Sequence, residues 1–172
     1  DLINNRANFQ KAYYEKYYSN VFNPDIDESK SIKNIIHHID IDDRVFQESM
    51  DNLNKLCIEM LSVESLKKLL QSKLSPDEYK NLKGLKLLKM FLEIYSISTN
   101  AYALMTPFFV LYDLRLLADH VSSNEEEKEE LKNCSDRLGI NTSQKDEIYK
   151  NLVRQLSTTY NNLTTLISAQ NK

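Results

Sequence analysis

The side chains best suited to chemistry lie in "PFFVLYDLRLLADHVSS", residues 107–123, an apolar and aromatic run that nevertheless carries Asp113, Arg115, Asp119 and His120. Such a run reads either as a core helix with a charged edge or as a catalytic face. On a helical wheel Val110, Leu114, Leu117 and Val121 form one narrow stripe, with Leu111 and Ala118 beside it, the expected core face. The opposite face holds Phe108, Phe109, Tyr112, Asp113, Arg115, Leu116, Asp119 and His120. Two phenylalanines and a leucine on the far side of a helix imply a cover, either another helix of the bundle or a second subunit. Arg115 and His120 are separated by about 140° around the helix and about 7.5 Å along it. They flank the polar face, and a long arginine side chain can reach towards a site shared with the histidine. Facing copies in a two-fold dimer would build one composite cleft.

Arg, four residues, then His, within "DLRLLADH" on a late helix of an α-helical chain, resembles the R-x4–6-H motif of the HEPN superfamily. The resemblance covers the motif and the all-helical setting, about residues 42–170. It implies a small helical bundle, often dimeric, and a metal-independent RNase of the kind found in prokaryotic defence and toxin–antitoxin systems. It further implies that His120 is the acid or base at the ribose 2′-hydroxyl. Arg115 would hold the scissile phosphate and stabilise the charge that develops there. Phe109, Tyr112, Asp113, Leu116 and Asp119 are the accompanying binding or interface residues. Leu116 departs from the family pattern, because active members often carry a polar residue directly after the arginine. That leaves a non-catalytic interaction or dimerisation domain of a larger protein as the alternative.

Simpler roles account for the same residues. Arg115 and Asp119 have the spacing of an i,i+4 ion pair, worth a few tenths of a kcal/mol. His120 near a helix C-terminus complements the dipole. His37 and His38 lie beside Asp40, Asp42 and Asp43, but adjacent histidines point about 100° apart on a helix, a poor arrangement for one metal. No cofactor or metal is expected. Tyr13, Tyr14, Tyr17 and Tyr18 could stack bases or fill a partner's groove, although packing of their helix on the bundle is the commoner use. Cys57 and Cys134 form no C-x-x-C pair and read as small apolar residues.

The elements that must position these residues are helices. Among 172 residues there are only two glycines and three prolines, too few turn formers for a sheet protein. An all-α bundle of about six or seven helices is expected. The periodicity predicts helices over residues 2–22, 29–39 and 42–62, a shorter one in "VESLKKLLQSKL", and one opened by the capping box "SPDEY" and running to about Tyr102. Thr106 and Pro107 open the motif helix. "EEEKEELKNCSDRLG" follows, with acid at its start, Arg137 near its end and Gly139 as its stop. A long last helix is capped by Thr142 or Ser143.

A break at 23–28, with Pro24 and acidic residues, divides an N-terminal helical extension, residues 1–28, from a HEPN-like bundle, residues 29–172. The net charge of -3 is mild, which counts against a constitutive nucleic-acid binder but not against an enzyme that touches RNA locally. No run is apolar enough to span a membrane. A reducing, cytoplasmic setting is expected from the cysteine usage. The chain begins with Asp1 and reads as a piece of a longer protein, so its partners are a second copy or further domains, with RNA as the candidate ligand.

Overall fold

Scarce glycine and proline, with strong helical periodicity, produce helices throughout. The computed structural model describes residues 1–24, 28–35, 42–119 and 124–170, and within them the fold is an all-α bundle. The helices are α1 (Leu2–Tyr17), α2 (Ser29–Asn34), α3 (Asp43–Asn54), α4 (Val63–Leu70), α5 (Pro76–Tyr79), α6 (Gly84–Ile94), α7 (Ala101–Leu104), α8 (Thr106–Asp119), α9 (Asn124–Arg137) and α10 (Lys145–Ala169). Seven of these have at least seven residues, in line with the expected number.

Several boundaries differ from the sequence expectation for identifiable reasons. α1 stops at Tyr17 because Tyr18 turns left-handed, with φ 52°. The helix expected over 42–62 is α-helical only to Asn54 and continues as a π-helical turn, Lys55–Glu59. Asp42 caps its start by accepting a hydrogen bond from the Val45 amide at 2.8 Å, a contact that satisfies one of the orphan donors of the first turn. The capping box at Ser75 and Glu78 forms as expected, the Ser75 amide donating to the Glu78 carboxylate at 2.9 Å. The helix it opens is a single turn, however. The long helix expected to run to Tyr102 is three helices, α5, α6 and α7, interrupted at Gly84 (φ 33°) and again at Ser96 (φ 52°).

The chain divides into two compact units. The first comprises Asp1–Ile26, Glu59–Met105 and Ser157–Lys172. This unit holds α1 together with α4 to α7 and the second half of α10. Its core is an aromatic cluster. The Phe91 ring centroid lies 4.9 Å from that of Tyr95 and 5.4 Å from Tyr13, and Phe9 lies 5.7 Å from Tyr160. The edge-on and tilted arrangements match the quadrupole preference of aromatic rings. Arg6, only 5 % exposed, places its guanidinium 3.7 Å from the centroid of Phe22. After α1 the chain is stitched to residues 60–62: the Asn23 amide donates to Met60 O at 2.7 Å and the Ser62 amide to Val21 O at 2.8 Å.

The second unit comprises Asp27–Ile58 and Thr106–Leu156. α8 packs against both α3 and α9, and α2 packs against α3. Phe46, Met50 and Leu53 of α3 are buried, as are Ile148, Leu152 and Leu156 of α10. Lys145, at the start of α10, lies 2.7 Å from Asp43 and 2.5 Å from Glu127, so it ties the starts of α3, α9 and α10 together. No described helix is long and apolar enough to cross a membrane.

Candidate functional site on the motif helix

α8 begins at Thr106 and Pro107, as the N-terminal preference of proline predicts. Phe108, Val110, Leu111 and Leu114 are fully buried. The buried stripe is therefore wider than expected and is rotated towards Phe108, which belongs to the core and not to the far face. Leu117, expected in the stripe, is half-buried. The cause is that α8 has two neighbours, α3 and α9, and two packed flanks need a broader apolar arc than one.

This rotation decides where Arg115 lies. Seven residues separate Phe108 from Arg115, so the two are within about 20° of each other on the helix. Arg115 thus prolongs the flank that buries Phe108. Its Nε sits 3.4 Å from Oδ1 of Asp51 on α3, and its side chain is 33 % exposed. The described partner of Arg115 is thus on a neighbouring helix. The side chain of Asp119, the i,i+4 partner expected from spacing, lies outside the described residues.

Asp113 occupies the opposite flank. It accepts a hydrogen bond from Nη1 of Arg137 on α9 at 2.5 Å. Between the flanks Tyr112 points outward at 45 % exposure, with Phe109 and Leu116 half-buried beside it. The cover that two phenylalanines called for is thus in part supplied by the fold: Phe108 goes inside, and α3 and α9 take the charged flanks. His120 lies outside the described residues, as do His37, His38 and Asp40. Of the candidate residues, then, the structure places Phe109, Tyr112, Asp113, Arg115 and Leu116 on α8 and leaves the pairing of Arg115 with His120 as a matter of sequence.

Asp51 was not legible as a site residue. "ESMDNL" offers only a polar position of an amphipathic helix, and its partner is far away in sequence. Arg137 was legible as a cation near the end of α9, but its bond to Asp113 depends on how α8 and α9 pack. Burial pushes the thiol of Cys134, also on α9, up to about 11, with Arg137 lowering it and Asp113 and Glu130 raising it. A thiol so placed carries little thiolate at neutral pH and is a poor nucleophile. Among the described residues no cluster of His, Cys, Asp and Glu is arranged to hold a metal ion. No family model matches the chain, and no curated protein or solved structure matches it significantly.

Proposed function

We propose that the chain is a HEPN-like helical domain in which Arg115 and His120 act on RNA without a metal, as expected of a defence or toxin-like protein. The observation that supports this is the setting of Arg115. Its helix is fixed by four fully buried side chains, and the guanidinium lies within ion-pair distance of Asp51 while a third of the side chain stays exposed. A guanidinium oriented by a carboxylate loses less freedom when it takes a phosphate. In the proposed reaction His120 removes the 2′-hydroxyl proton, the 2′-oxygen attacks the adjacent phosphorus, and Arg115 stabilises the charge on the phosphoryl oxygens. The 5′-oxygen of the next nucleotide leaves and takes up a proton. The test is cleavage of mixed RNA substrates in EDTA by wild type, His120→Ala and Arg115→Ala. Cleavage by wild type alone supports the reading; equal cleavage by all three, or none by wild type, ends it.

A second reading, a non-catalytic interaction or dimerisation domain of a larger protein, is favoured by the same ion pair. Asp51 already neutralises Arg115 and would repel an incoming phosphate. Leu116, where active members of the family often have a polar residue, fits an apolar contact, and Phe109 and Tyr112 adjoin it on the outward face of α8. Under this reading Phe109→Glu or Leu116→Asp shifts the oligomeric state in sedimentation experiments. A variant that remains monomeric alongside a monomeric wild type counts against that face.

A further inference from the structure

The mild overall charge conceals a strongly uneven one. Between residues 67 and 89 there are seven lysines and only two acidic residues, Asp77 and Glu78, in a chain whose net charge is -3. These lysines fall on α4, on the segment that returns from it through α5, and on α6, which packs against α4. Nζ of Lys67 donates to Lys80 O at 2.6 Å, and the Tyr95 hydroxyl donates to Leu69 O at 3.0 Å. The return segment and the end of α6 are thereby tied to α4, so the seven lysines are carried by three connected elements.

Charge pairing among these elements is incomplete. Lys80 pairs with Asp77 and Lys89 with Glu93. Lys68, Lys73, Lys83 and Lys86 are exposed, and among the described residues none has a carboxylate within ion-pair reach. Like charges left together without counter-charges raise the local potential and attract polyanions. The four cations are spread over connected elements, which suits a ligand that repeats its charge along a chain better than a single bound ion.

We infer that the lysines of α4 to α6 form a binding surface for the phosphate backbone of RNA. The inference rests on the proposed RNA reading for its ligand and adds where the ligand is held, a surface in a different compact unit from Arg115. A membrane fits these lysines less well. The exposed large apolar side chains of the described chain are Tyr14, Tyr18, Ile94, Tyr102 and Tyr112, and none falls between residues 67 and 89. A membrane surface site normally adds such an anchor to its charges.

The test is fluorescence anisotropy of a labelled single-stranded RNA of mixed sequence, titrated with the full chain over a range of salt. The variant replaces Lys68, Lys73, Lys83 and Lys86 by Gln; the charge-matched control replaces Lys11, Lys33, Lys55 and Lys128 by Gln. Each single-strand phosphate contact contributes about 0.7 to the salt slope, so the variant is expected to lower the slope by about 2–3 and to weaken binding at least ~tenfold at low salt. The control should bind within about twofold of wild type, since it leaves those contacts in place. No RNA binding by wild type, equal loss in variant and control, or lysine-dependent binding to phosphatidylserine vesicles but not to RNA would each overturn the proposal. Cleavage separates it from the motif: His120→Ala that neither cleaves nor loses RNA affinity removes the chemistry and leaves this surface intact. If wild type binds RNA through these lysines yet never cleaves it, the catalytic reading fails alone.

Discussion

Nε of Arg115 on α8 lies 3.4 Å from Oδ1 of Asp51 on α3, an ion pair between two helices that the sequence separates widely. Both side chains are about one third exposed, so solvent screens the attraction. Arg115→Ala and Asp51→Asn are each expected to cost no more than about 1 kcal/mol in urea unfolding. A loss above about 3 kcal/mol would instead mean that the pair behaves as buried. Asp51→Asn also separates the two functional readings. If Arg115 takes a phosphate in the orientation that Asp51 gives it, Asp51→Asn should weaken RNA binding; if α8 is purely structural, RNA affinity should stay as it was.

Phe108 and Tyr112 lie one helical turn apart and differ sharply in surroundings, fully buried against 45 % exposed. Phe108→Ala is expected to destabilise by about 3–5 kcal/mol through lost burial and the cavity left behind. Tyr112→Ala should stay within about 0.5 kcal/mol. Chemical denaturation of the two variants checks the rotation of the α8 stripe directly. The reverse order would return Phe108 to the outward face.

Alkaline pH should destabilise the protein through two groups, Lys145 and Tyr17. Burial pulls the Lys145 ammonium down, but its hydrogen bonds to Asp43 and Glu127 outweigh this and hold it above its usual value. Burial, helped by the neighbouring Tyr95, pushes the Tyr17 hydroxyl up to about 12. A group raised in the folded state contributes fully below its unfolded pKa and loses that contribution as pH rises through the folded one. Stability is therefore expected to fall from about pH 10 upward, where unfolded tyrosine and lysine begin to titrate. Thermal midpoints between pH 8 and 12 measure this. Lys145→Met should flatten the lysine part and Tyr17→Phe the tyrosine part; profiles parallel to wild type would refute the assignment.

Both thiols should be silent in the native state. Cys57 and Cys134 are buried, and the Cys134 thiol is pushed up to about 11 by burial. Reaction with Ellman's reagent at pH 8 should therefore follow unfolding and accelerate with urea. Fast modification of Cys134 without urea would show that α9 opens locally from α8.

The helical class was readable because turn-forming residues are scarce and apolar positions recur at helical spacing. Local signals with a local mechanism also held: the Ser75–Glu78 capping box, the start of α8 at Thr106 and Pro107, and the Gly139 stop. The expected helix from Ser75 to Tyr102 failed because Leu82, Leu85, Leu88, Phe91, Leu92 and Tyr95 continue one apolar pattern across Gly84. Periodicity alone does not register that Gly84 and Ser96 adopt positive φ. At the candidate site the wheel found the α8 core residues Val110, Leu111 and Leu114. It misplaced Phe108 because one helix viewed alone does not reveal that it has two neighbours. Asp51 was illegible for the same reason, since its role comes from α3 lying against α8 and from nothing near it in the chain.

The pairing of α1 with the far end of α10 has a consequence for the order of synthesis. Asn5 donates through Nδ2 to Ser157 Oγ at 2.9 Å, and Phe9 stacks on Tyr160. Tyr17 donates to the Gln170 side chain at 2.8 Å, and Gln170 in turn donates to Tyr95 O at 2.7 Å. During synthesis α1 therefore waits for the second half of α10 before its apolar face is closed. Contacts of such long sequence separation make folding slow and leave early segments exposed meanwhile. Until residues 157–170 emerge, Phe9 and Tyr13 are surfaces for a chaperone, and a nascent chain halted before Ser157 should be the form on which one is found.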